Sequence, residues 1–177
     1  PIRSLRIAAG TRAMVLGWNT VSGALRHPPE DSIALARSMV EVGPLAGRPA
    51  LALVTGMDPP LGTHIGNALE VKEAIDILAG RAGGRLLSVS LRLGAMMLVA
   101  GGYAASEAEA ERRMLEALKS GAGLAKLKEM ITAQGGDASV CDDVSLLPQA
   151  AQVIPVPATR GGYVASMDTT LLGEASQ

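Results

Sequence analysis

The chain has 177 residues, 48% of them hydrophobic and 19% charged, with a net charge of −1. That balance fits a folded globular chain rather than a disordered one. Dispersed Lys and Arg offer no basic surface for nucleic acid or an anionic membrane, and no apolar run reaches the roughly 20 residues that span a bilayer. Aromatics make up 2%, with no Phe, so the core has to be built from Leu, Val, Ile, Ala and Met. The single Cys141 excludes an internal disulfide and favours a reducing compartment. Pro1-Ile-Arg-Ser-Leu-Arg6 lacks both the apolar region of a signal peptide and an initiator Met. The expectation is a cytoplasmic, trimmed or partial chain.

Residues 2–9 read as a helix end stopped by Gly10. Ala13-Met-Val-Leu16 is a short apolar run suited to a buried strand, and a loop holding His27-Pro28-Pro29 follows. Glu30-Asp31 open a helix over 31–42, whose apolar positions Ile33, Leu35, Ala36, Met39 and Val40 recur at helical spacing. Leu51 to Val54 is a second strand. Asp58-Pro59-Pro60 ends it, because proline lacks a donor and restricts its predecessor, and Gly62 and Gly66 allow close backbone approach. The spacing then predicts a helix over 67–79, with Leu69, Val71, Ala74, Ile75 and Leu78 inward. Strand, loop, helix, repeated, is the grammar of an α/β fold: a parallel sheet with crossover helices, whose ligand sites form at the strands' carboxyl ends.

Beyond Gly80 the pattern is helical. Leu86–Ala100 is a continuous apolar helix carrying only Arg92, expected to be buried on most sides, with Met96-Met97 as core filler. Ser106-Glu-Ala-Glu109 matches a capping box opening a helix to about Lys119. A further helix covers 124–133. Residues 137–160 are loop-like and Pro-containing, and Val153–Val156 and Gly162–Ala165 read as short β-type pieces. No internal repeat or low-complexity tract is present.

Ile7-Ala-Ala-Gly10, Ser22-Gly-Ala-Leu25, Ala36 to Gly43, Thr55 to Glu73, Ala133-Gln-Gly-Gly-Asp137 and Gly162-Tyr-Val-Ala165 resemble, in order and spacing, the pyrimidine-nucleoside (thymidine) phosphorylases. Pro60-Leu-Gly62 with Ile65-Gly-Asn-Ala-Leu-Glu-Val71 is the most specific piece. The resemblance implies reversible phosphorolysis: phosphate attacks the sugar's anomeric carbon and the pyrimidine leaves, so the substrates are a pyrimidine nucleoside and phosphate. It implies phosphate as co-substrate, a potassium ion and no organic cofactor. It divides the chain into part of the α/β domain (1–137), a connection (138–160) and the start of a β-rich C-terminal domain (161–177). A missing N-terminal half or a homodimer would complete the site.

By the same resemblance, Ile2 and Leu25 line the base site, while the base-contacting Ser and Lys positions are Pro1 and Leu5, which leaves no assigned catalytic residue. Leu61 and His64, through main-chain oxygens, and the Glu73 carboxylate correspond to the potassium site. From the residues alone, Glu73 reads equally as a solvated helix carboxylate, Leu25 as a leucine packed on the sheet edge, and His64 as a loop histidine rather than a base. Asp142-Asp143 read as solvated and Cys141 as neither nucleophile nor zinc ligand. The reading is a phosphorylase-like chain without activity on its own, against a non-catalytic nucleoside-binding or partner-complementing relative.

Overall fold

A computed structural model of the chain describes residues 12–20, 29–56 and 59–176. The two apolar runs form β1 (Met14–Thr20) and β2 (Ala50–Gly56), which pair in parallel from Met14↔Ala50 to Thr20↔Gly56. Helix α1 (Pro29–Leu45) makes the crossover between them. The parallel pair joined by a helix is the arrangement expected from the alternation of apolar run, loop and helical period.

Both faces of the pair are covered. Gly43 of α1 lies against Ala50, where a β-carbon would stand 2.3 Å from the Ala50 Cβ. Gly17, in register with Leu53, approaches Leu93 of helix α3 (Arg85–Ala100). Ala50 and Leu53 are an odd number of residues apart, so α1 and α3 lie on opposite faces. Helix α2 (Asn67–Leu78) follows β2, and α3 packs on α4 (Glu107–Lys119), with α5 (Ala122–Ala133) beyond. Ile75 and Ala110 are fully buried, and Ala95, Leu91 and Met96 complete the helical core.

The serine half of the capping box forms, the Glu109 amide donating to Ser106 Oγ, while the Glu109 carboxylate accepts from the Ala105 amide, one residue before the cap. Several expected faces are turned. On α2, Leu69 and Val71 are exposed, while Glu73, Ile75 and Ile77 are buried. Helix α3 is buried on one side only: Met97 is exposed, and Arg92 pairs with Glu107. The cause is packing, since α3 touches the sheet and α4 and leaves its remaining arc to solvent.

Two short 3-10 turns follow, Ala138–Cys141 and Val144–Leu146, each opened by an aspartate (Asp137, Asp143) accepting from an amide two residues on. Val153–Val156 and Gly162–Ala165, expected as β-type pieces, pair with no strand among the described residues. Ile154, Val156 and Tyr163 stand exposed. The unexpected element is α6 (Thr169–Ala175), capped by Asp168, whose carboxylate accepts from the Leu171 amide. Among the described residues no helix is long and apolar enough to cross a membrane.

Candidate functional site

The loop from Pro59 to Gly66 leaves the carboxyl end of β2, and its chemistry gathers on one side chain from the next helix. Glu73 is 5% exposed, so the reading of it as a solvated helix carboxylate is excluded. Its Oε1 accepts from the Thr63 amide at 2.8 Å and the Thr63 hydroxyl at 2.9 Å. Its Oε2 accepts from the His64 amide at 3.2 Å and lies 3.7 Å from His64 Nδ1. Burial pushes the Glu73 carboxyl up. The Thr63 amide and hydroxyl, the His64 amide and the nearby imidazole pull it down and prevail, so it is held below the usual carboxylate range.

Thr63 has one hydroxyl proton, and an ionised carboxylate only accepts. The proton therefore goes to Glu73, and His64 Nδ1, 2.9 Å from Thr63 Oγ1, carries the hydrogen that completes the chain. The order is imidazole, hydroxyl, carboxylate.

Gly62 makes room for this. A β-carbon there would stand 2.3 Å from Glu73 Oε2, so the backbone passes the carboxylate at a distance only glycine permits. Among the described residues Glu73 has no Lys or Arg within ion-pair distance; the imidazole of His64 is its one ionisable neighbour there. An ionised, buried carboxylate with one oxygen lightly bonded and no fixed cation is the donor a hard cation takes. No cluster of three or more His, Cys, Asp or Glu side chains suited to a metal occurs among the described residues, so any cation here would need backbone carbonyls as well.

The loop's outer side faces a cleft of about 810 Å³. Pro60, Leu61 and Ile65 form one wall, and Met167, Leu171 and Leu172 of the C-terminal segment the other. Arg85 opens α3 at the cleft's edge, donating to the Gly56 carbonyl at 2.8 Å and the Pro59 carbonyl at 3.2 Å.

Of the residues singled out in the sequence, His64 of this loop meets Glu73 of α2, and Leu61 lines the cleft on the loop's outer side. Pro1, Ile2, Leu5 and Leu25 lie outside the described residues. Sequence reasoning passed over Thr63, Arg85 and the segment 166–172. Thr63 had a local signal, a hydroxyl beside a histidine. Arg85, 29 residues from Gly56, had none.

The parallel pair, its crossover helix and a ligand-ready loop at the strand's carboxyl end define an α/β architecture of the open-sheet kind. Comparison of sequences makes the relationship specific. Over 175 residues, 99% of its length, the chain is 43% identical to the pyrimidine-nucleoside phosphorylase of Bacillus subtilis (strain 168). Identity and coverage are the same for proteins of that name from Geobacillus stearothermophilus and Staphylococcus aureus. The chain spans about 40% of the length of these relatives. No family model matches it. The resemblance carried by the Thr55–Glu73 segment and its companions is thus borne out: along almost all of its length the chain is similar to part of a pyrimidine-nucleoside phosphorylase.

Proposed function

We propose that the protein belongs to a pyrimidine-nucleoside phosphorylase activity: thymidine or uridine and phosphate give the free base and a pentose 1-phosphate. The observation that carries this reading is 43% identity over 99% of the chain to proteins of that name. In such a reaction the protein positions two ligands and stabilises charge on the departing base. Ile2 and Leu25 are assigned to the base site, with phosphate as the second substrate and no organic cofactor. Glu73 holds a potassium ion together with the Leu61 and His64 main-chain oxygens. The buried carboxylate, without a fixed counter-charge among the described residues, and the close approach of the loop backbone to it at Gly62 support that assignment. The ion would supply fixed positive charge, and this chain's own part is to hold the loop in place around it. The reaction is assigned to the cytoplasm, with the remaining walls of the site coming from further sequence or a second copy.

These 177 residues by themselves are expected to release no base. They span about 40% of their relatives and carry Pro1 and Leu5 where the resemblance places Ser and Lys. One lost donor to the leaving group raises a barrier by about 2.7–4 kcal/mol, and here two are lost together. The test is chromatographic detection of uracil or thymine, with and without phosphate, for the 177 residues and for the polypeptide the cell makes. Phosphate-dependent release by the cellular polypeptide alone supports both statements. Release by the 177 residues overturns the second. Nucleoside binding without turnover in either form overturns the first and favours the non-catalytic reading, which rests on Pro1 and Leu5.

A further inference from the structure

Among the described residues, no backbone–backbone hydrogen bond involves residues 59–65. The loop that would present the Leu61 and His64 carbonyls is therefore not held by its own main chain. Pro59 and Pro60 stiffen it but have no amide hydrogen to donate. At its far end it is anchored by Glu73, which takes the Thr63 and His64 amides. At its near end the anchor is Arg85: one guanidinium nitrogen takes the last carbonyl of β2, Gly56, and the other the Pro59 carbonyl. The planar fork bridges the chain across two intervening residues and ties it to the first turn of α3. Leu61 lies between the two anchors.

We propose that Arg85 is the positioning residue of this loop: it sets where the Leu61 and His64 carbonyls stand relative to the Glu73 carboxylate, and so governs cation affinity without touching the cation. This rests on the cation reading given above. A cation site binds in proportion to how well its oxygens are placed before the ion arrives. Arg85 fixes one end of a segment that has no ladder to fix it. A lysine carries its three donors on one nitrogen at the end of a flexible stem, so it cannot fix the two carbonyls at the spacing that the rigid two-nitrogen fork sets.

The experiment is thermal unfolding of the polypeptide the cell makes in potassium chloride against choline chloride at matched ionic strength, since a ligand that binds only the folded state raises Tm with its concentration. The wild type is expected to gain Tm with potassium and not with choline, and Glu73→Ala to lose that gain. Arg85→Gln should shift the potassium response to about tenfold higher concentration, with Arg85→Lys in between. Amide exchange at Leu61–Ile65 should slow with potassium in the wild type and fail to slow in Arg85→Gln. A responsive wild type with an unshifted Arg85→Gln, merely less stable in choline, overturns the positioning role and leaves the cation reading intact. A wild type indifferent to potassium overturns the cation reading and this inference with it. Should Arg85→Gln not fold, Arg85→Lys decides alone: an unshifted response overturns the proposal.

Discussion

Glu73 concentrates three hydrogen bonds and a buried charge in one side chain. In Glu73→Gln the amide group must turn a donor towards either Thr63 or the His64 amide, leaving a donor facing a donor. A buried donor left unpaired costs about 1–3 kcal/mol, and denaturant unfolding reads the loss. The pH dependence has a definite sign. The folded carboxyl is held below its unfolded value. Its contribution is therefore complete above the unfolded carboxylate pKa and is lost as pH falls through the lower, folded one. Glu73→Gln should remove that part of the acid-unfolding slope. Asp76, pulled down by hydrogen bonds from Lys72 and Arg81, acts in the same direction and keeps its own part in the variant. At this scale the sequence was half legible. It placed Glu73 beside the loop through the specific Pro60–Val71 pattern, but helical period alone left its burial open. The Arg85 contacts span 26 and 29 residues, and no local pattern encodes a bond of that reach.

Elements were readable where period and punctuation agreed. Each apolar run became a strand, and the helices expected over 31–42, 67–79, 86–100 and 124–133 occur with ends shifted by a few residues. Two features escaped. Val153–Val156 and Gly162–Ala165 have β-type composition, yet a strand needs a neighbour to satisfy its backbone, and no edge meets them. Helix α6 begins with two threonines and contains Gly173, poor helix formers, and exists through its Asp168 cap and the contact of its segment with the 59–65 loop. A contrast of glycines tests the packing of elements. In Gly43→Ala the new carbon would meet Ala50 Cβ at 2.3 Å and the Arg48 carbonyl at 2.9 Å, both held by the chain. In Gly94→Ala it would meet only the mobile end of Met114, at 2.2 Å. Overpacking costs about 1–3 kcal/mol, offset by the better helix propensity of Ala, about 1 kcal/mol. Gly43→Ala should therefore unfold at distinctly lower denaturant concentration, and Gly94→Ala close to the wild type. Equal midpoints would show that α1 is not seated on β2 as described.

For the molecule as a whole, the area left in water is the informative quantity. A folded monomer of 18.1 kDa is expected to expose about 8,100 Å²; this chain exposes 12288 Å². Part of the exposed surface is apolar. Leu51 and Val54 of β2 are 36% and 38% exposed, Leu69 and Val71 of α2 more so, and Val153, Ile154, Val156 and Tyr163 stand exposed along an irregular segment. Scattered exposed apolar side chains are normal, but several on neighbouring elements make a surface suited to association. The two-stranded sheet points the same way, since a pair this small holds only by what packs on it. The 177 residues alone are therefore expected to bind an apolar fluorescent dye and to associate at micromolar concentrations. Limited trypsin should cut first after Arg160, within the exposed segment and far from the buried helices. Sedimentation and dye titration read the first two, and mass spectrometry of the earliest fragments reads the third. A dye-silent monomer that resists cleavage at Arg160 would mean that the apolar faces of β2 and α2 are already covered within these residues.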